Sequence, residues 1–253
     1  MKQKQRIAFF GVVAVALILA ACDSDSGNNS SESEGDSSSS VFLSSSTPLS
    51  SSVEVCTNTY GTNTVTDCRD NQTYKTVVIG TQTWMAENLN YAVDSSWCYE
   101  SSVDSCAKYG RLYQWASAMG LSATYNTTSA SGVISTPQQG VCPVGWHIPT
   151  DAEWTTLGNT VGGEDVAGTA LKSTNGWYND GNGTDTYGFS ALPAGRRYYY
   201  GSFYYVGGYA DFWSATEYDT DLAYGWYLGY GIAGMYANYY DEDGAFSVRC
   251  LKD

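Results

Sequence analysis

Cysteine placement limits what this 253-residue chain can become more than any other feature. Six of its seven cysteines, Cys56, Cys68, Cys98, Cys106, Cys142 and Cys250, lie in the last 200 or so residues, and the seventh, Cys22, follows a leader. That leader has a basic start (Lys2, Lys4, Arg6) and an apolar run from Ile7 to Ala21. The run is shorter than the roughly 20 apolar residues a membrane helix needs, and the order of charge, apolar run and small residues is that of a secretory signal peptide. Residues 1–21 are expected to be removed on export. An even number of cysteines in an exported chain points to disulfides. Sequence neighbourhood favours Cys56–Cys68, Cys98–Cys106 and Cys142–Cys250, two small loops and one long one. A metal reading fares badly, because no C-x-x-C occurs and the spacings match no zinc motif.

Leu19-Ala20-Ala21-Cys22 is similar to a bacterial lipobox, so Cys22 is expected to carry a lipid and become the new N-terminus. Several acyl chains hold a protein on a membrane far better than one. The expected address is the cell envelope, at the outer membrane or cell surface. Half of residues 23–52 are serine, with Asp23, Asp25, Glu32, Glu34 and Asp36 among them. Such a segment buries too little apolar surface to offset its ordering entropy. Residues 22–52 therefore read as a tether reaching roughly 30 Å from the lipid. The formal charge is −14, from 12 basic and 26 acidic side chains, which excludes duplex nucleic acid as a partner because phosphate binding needs clustered Lys and Arg. A single His excludes any site built on two imidazoles.

Residues 53–253 are enough for one substantial core. Tyr74 to Met85 holds two β-branched runs around Gly80-Thr81, a hairpin pattern. Tyr109 to Met119 spaces Leu112, Trp115 and Met119 as on a helix, with Gly120 as its stop. Thr150 and Glu153 form a T-x-x-E capping box, so a helix should start at Asp151 and bury Trp154 and Leu157. A further short helix is expected over 166–173, with Ala167 and Leu171 on one face. Beyond Phe189 the pattern alternates: residues 224, 226 and 228 share a strand face, as do 246, 248 and 250. The expectation is an α+β domain, with two or three short helices followed by a twisted antiparallel sheet with long loops.

Several stretches together resemble one family. Thr83-Trp84-Met85-Ala86-Glu87-Asn88-Leu89, Tyr109-Gly110-Arg111-Leu112-Tyr113, the run from Cys142 to Trp154, Gly188-Phe189-Ser190-Ala191-Leu192-Pro193-Ala194-Gly195, Phe212-Trp213-Ser214 and Ser247-Val248-Arg249-Cys250 look like the Fibrobacter succinogenes major paralogous domain. The likeness runs in order from about residue 74 onward. It implies exported, often lipid-anchored bacterial proteins with no established biochemical activity. It also implies a C-type lectin-like fold, shared with the formylglycine-generating enzymes. Calcium-dependent lectins carry Glu-Pro-Asn or Gln-Pro-Asp and Trp-Asn-Asp, none of which occurs here, and the formylglycine-generating enzymes need a reduced cysteine pair for copper.

Candidate sites follow from residue type. Hard cations want clustered oxygens, and Glu217, Asp219 and Asp221 alternate while Asp241, Glu242 and Asp243 are contiguous, so calcium is a possible ligand of Glu217, Asp219, Asp221, Asp241 and Asp243. Asn179 to Asp185 begins like a calcium loop, yet the position due a bidentate Glu, counting from Asp180, is Ala191. His147, between Trp146 and Ile148, reads as a structural residue rather than a general base. No cofactor is expected. Between Tyr198 and Tyr240 lie 13 tyrosines. If a strand buries one face, some of these rings must face outward, and exposed Tyr gives broad contact at little entropy cost. Tyr199, Tyr204, Tyr205, Trp213 and Trp226 are the candidate ligand-binding residues. The expected function is a non-catalytic, lipid-anchored envelope module that contacts glycan or protein through this surface. The alternatives are a drifted enzyme on a formylglycine-generating scaffold or a purely structural envelope protein.

Overall fold

The structure, a computed structural model, describes residues 56–253, which lie within the unit Val53–Asp253. The leader, Cys22 and the Ser-rich tether, with the expectations attached to them, lie outside the described residues. The domain is mixed, with few helices and mostly sheet. One sheet of six strands runs in the order β1 (Thr59–Gly61), β2 (Thr64–Thr66), β3 (Thr73–Ile79), β4 (Gln82–Met85), β14 (Leu251–Lys252) and β7 (Trp146–His147). The second runs β12 (Tyr236–Asp241), β11 (Leu222–Gly229), β10 (Tyr209–Glu217), β13 (Ala245–Ser247), β6 (Leu112–Gln114) and β5 (Ser96–Trp97). Off that path, β8 (Arg196–Arg197) pairs with both β13 and β9 (Phe203–Tyr204). The strand pairs are antiparallel except β10 with β13, which runs parallel through Phe212 and Ser247.

Local sequence explains several elements directly. The β3–β4 hairpin closes on Gly80-Thr81, with Ile79 opposite Gln82, and Gly80 takes the left-handed φ of 61° that the tight turn requires. Helix α3 (Asp151–Thr160) starts where the capping box places it: the Thr150 hydroxyl accepts from the Glu153 amide, and the Glu153 carboxylate accepts from the Thr150 amide at 2.8 Å. Trp154 and Leu157 are fully buried beneath it. Helix α4 (Glu164–Leu171) begins and ends about two residues before the expected span and buries Ala167 and Leu171 as expected. Three disulfides join Cys56–Cys68, Cys98–Cys106 and Cys142–Cys250.

The expected helix over 109–119 is corrected. Helix α1 (Val103–Tyr109) ends at its first residue, residues 112–114 form β6, and beyond Tyr109 only α2 (Trp115–Ala118) is helical. Gly110, at φ 74°, breaks the chain direction, and Leu112 then pairs with Ser247 on one side and Trp97 on the other. Pairing with distant strands overrides the local helical spacing, although Trp115 and Met119 still share one buried stripe.

The premise that each strand buries a single face is corrected as well. Ala210, Phe212, Trp226 and Leu228 point into one core cluster with Trp154 and Leu157 of α3, while Trp213, Ala215, Ala223 and Phe246 point into a second on the opposite side. Central strands covered on both faces read as near-continuous apolar runs, and Phe212-Trp213-Ser214 is such a run. Ser247 and Arg249 are likewise buried between Phe246, Val248 and Cys250. Tyr224 is the exception on its face, half-buried and edge-on to Tyr218 rather than in the core.

Candidate functional site

The five aromatic candidates separate into two groups. Trp213 and Trp226 are corrected to core residues. Trp213 is stacked on Phe246 with ring centres 4.2 Å apart and donates from Nε1 to the Tyr113 carbonyl at 2.7 Å. Trp226 lies 6.5 Å from Trp154 and donates to the Asp151 carboxylate at 2.9 Å. Neither offers a face to a ligand. Tyr199, Tyr204 and Tyr205 are exposed, together with Tyr200.

These tyrosines are positioned by the β8–β9 hairpin. Arg196 pairs with Tyr204 and Arg197 with Phe203, and the turn between them closes with the Gly201 amide donating to the Tyr198 carbonyl. Gly195 enters at φ 69°, and a Cβ there would sit 2.4 Å from the Tyr204 carbonyl oxygen, so the two segments can approach only without a side chain. The rings then order one another. Tyr198 stacks on Tyr200 at 5.4 Å and meets Tyr204 edge-on at 5.3 Å, and Tyr205 meets Tyr209 edge-on at 5.4 Å. Beneath them, the Arg196 guanidinium forms a two-point pair with fully buried Asp211, Nε to Oδ2 at 3.0 Å and Nη2 to Oδ1 at 2.8 Å. It also lies 5.3 Å from the Tyr205 ring centre and 5.1 Å from that of Tyr240. Burial pushes the Asp211 carboxyl up to about 6, although Arg196 pulls the other way. An open depression of about 330 Å³ adjoins the cluster, with Tyr205, Tyr209, Tyr227 and Asn238 among its walls.

The acidic candidates do not gather into a set of metal ligands. Glu217 accepts from the Ser129 hydroxyl at 2.9 Å and the Ala130 amide at 2.6 Å, Asp219 from the Asp221 amide, and Asp243 from Gln114 Nε2 at 3.3 Å, while Asp241 ends β12 exposed. Among the described residues no three His, Cys, Asp or Glu side chains gather to hold a metal ion. The 179–185 segment is a turn braced internally: Asn182 accepts from the Trp177 amide, and Asp185 accepts from both the amide and the hydroxyl of Ser190. The residue that stands out is Glu242. It is fully buried and neither carboxyl oxygen has a hydrogen-bond partner. Burial, reinforced by Glu217, Asp221, Asp219 and Asp243, pushes its carboxyl up to about 9. The contiguous acidic run reads in sequence as a solvated turn, and nothing local marks its middle residue as buried.

His147 is buried, and both ring nitrogens have carboxylate partners. Nδ1 lies 2.7 Å from the Asp253 carboxylate and Nε2 3.1 Å from Glu153. Burial lowers its pKa, and the two carboxylates outweigh that and raise it.

The motif stretches meet at Arg249. Its fully buried guanidinium donates to Asn88 Oδ1 at 2.8 Å and to the carbonyls of Met85, Phe189 and Ser190, and it sits 4.4 Å from the Phe189 ring centre. Burial drops its pKa to about 9. One side chain thus ties together the 83–89, 188–195 and 247–250 segments, and residues 77–252 match the family model described as the Fibrobacter succinogenes major domain. The chain belongs to that family. Neither a curated protein nor a solved structure matches it. In this Fibrobacter succinogenes major domain, the 83–89, 188–195 and 247–250 stretches meet in the interior at Arg249, and the last is tied to Cys142 by the Cys142–Cys250 bond, whereas the tyrosine cluster lies beyond the 188–195 motif.

Proposed function

We propose that the protein is a non-catalytic module of the cell envelope, held to the outer membrane or cell surface by a lipid on Cys22, that binds glycan through the tyrosines of the β8–β9 hairpin. The observation that carries this reading is the mutual ordering of exposed Tyr199, Tyr200, Tyr204 and Tyr205 above the Arg196–Asp211 pair. Rings already fixed by their neighbours lose little freedom on binding, so more of the stacking energy reaches the complex. The apolar face of a neutral sugar suits a phenol ring, whose hydroxyl serves the sugar's polar rim. The C-type lectin-like architecture implied by the family resemblance belongs to this proposal; the mixed fold with few helices and long loops is compatible with it. Against a drifted enzyme, which would need a reduced cysteine pair, stands the pairing of all six described cysteines.

The test is a glycan array followed by calorimetry on the best binder, with wild type and the triple variant Tyr199→Ala, Tyr204→Ala, Tyr205→Ala. A loss of at least about tenfold in affinity, roughly 1.4 kcal/mol, is expected with the melting temperature little changed. Binding that survives the triple change refutes the proposed face. A pull-down partner lost in the same variant, with no glycan signal, assigns the face to protein instead. Mass spectrometry of the native protein checks the anchor: an intact Met1 rules it out.

A further inference from the structure

Glu242 is set in the turn between β12 and β13, and its main chain is pinned on both sides. Its amide donates to the Asp221 carbonyl at 3.1 Å, and its carbonyl accepts from the Trp115 amide at 3.1 Å. These bonds fix the main chain from which the side chain projects into the interior. Both carboxyl oxygens are buried and unpartnered, and the charged groups acting on them, Glu217, Asp219, Asp221 and Asp243, are all acidic. An isolated buried carboxylate is costly, and four like charges add to that cost. A proton would remove the charge, yet it would leave both oxygens and a new hydroxyl without partners. A cation satisfies both oxygens and turns the surrounding acids from a liability into an attractive field.

We propose that the Glu242 carboxylate binds one hard divalent cation of the calcium class, between the turn after β10 and the turn after β12. Oxygen donors suit such an ion rather than zinc, since the six described cysteines are in disulfides and His147 is held by Asp253 and Glu153. Because no three carboxylates gather at one point, the remaining ligands are main-chain carbonyls of the two turns and water, which calcium accepts readily. Glu217 is engaged by Ser129 and Ala130, and Asp243 by Gln114, so these acids contribute field rather than direct ligation. This site is separate from the tyrosine face, and its failure leaves the glycan reading untouched.

The experiment uses the chelator-treated protein, calcium chloride titrated by calorimetry and by thermal melting, and terbium as a luminescent substitute. Trp115, whose amide touches the Glu242 carbonyl, is the expected sensitiser. One calcium per chain, a saturable rise in melting temperature reversed by chelator, and terbium emission displaced by calcium are expected. Glu242→Gln should abolish all three and leave the metal-free protein at least as stable as wild type. If that variant does not fold, the wild-type measurements decide alone. No heat, no shift and no sensitised emission up to millimolar ion overturns the proposal, as does full retention of binding in Glu242→Gln.

Discussion

The disulfides offer a quantitative test of what holds the domain together. Cys142 and Cys250 are 108 residues apart, and Cys98 and Cys106 are 8 apart. In the chain-entropy account a cross-link acts mainly on the unfolded chain, and its effect grows with the logarithm of the loop it closes. Those separations correspond to about 5 and about 2.5 kcal/mol. Both Cys142 and Cys250 are fully buried, so replacing them by Ala also leaves a small void, which adds to the larger loss. Cys142→Ala with Cys250→Ala should therefore lose at least about 2 kcal/mol more than Cys98→Ala with Cys106→Ala. For a domain of this size that means a drop of roughly 10–20 °C in melting temperature against roughly 5–10 °C. Urea unfolding, extrapolated linearly to water, measures both. Equal losses, or a larger loss from the short loop, would refute the claim that loop length sets the contribution.

Two further outcomes follow from the geometry. His147 has a folded pKa above 6.5 and Glu153 one below 4.5, so their contribution to stability is greatest between those values. It is lost as pH rises through the folded pKa of His147 and as pH falls through that of Glu153. His147→Gln should flatten the alkaline side of the stability–pH curve, and an unchanged slope there excludes His147 as its source. Gly168→Ala should destabilise by about 1–3 kcal/mol although Ala is the better helix former, because its Cβ would lie 2.1 Å from the Gly234 carbonyl oxygen. A variant as stable as wild type by urea unfolding would show that α4 and the 233–234 turn are less tightly seated than described.

What the sequence reveals depends on how local the cause is. Thr150 and Glu153 are three residues apart and define the start of α3 through bonds they make to each other. The β3–β4 turn is likewise contained in Gly80-Thr81. The strand at 112–114 is not legible, because its partners include β13 and the helical spacing of Leu112, Trp115 and Met119 is equally real. Trp213 and Trp226 look like exposed aromatics until both faces of β10 and β11 are seen to be covered. The outward tyrosines 199, 204 and 205 are recoverable from crowding alone, whereas the Arg196–Asp211 pair beneath them needs β8 and β10 to be placed side by side. Glu242 is hidden for the same reason: its burial is made by the Trp115 and Asp221 segments, far away in sequence.

The position of β14 has a consequence for how the molecule is made. Leu251 pairs with Trp84 on one flank and His147 on the other, so a strand late in the domain is inserted between two that come much earlier in the chain. A nascent chain lacking residues 250–252 has Cys142 without its mate and two unzipped edges where one seam belongs. The domain is therefore a clasp shut by residues 250–252, and a chain truncated before them should stay open to proteases.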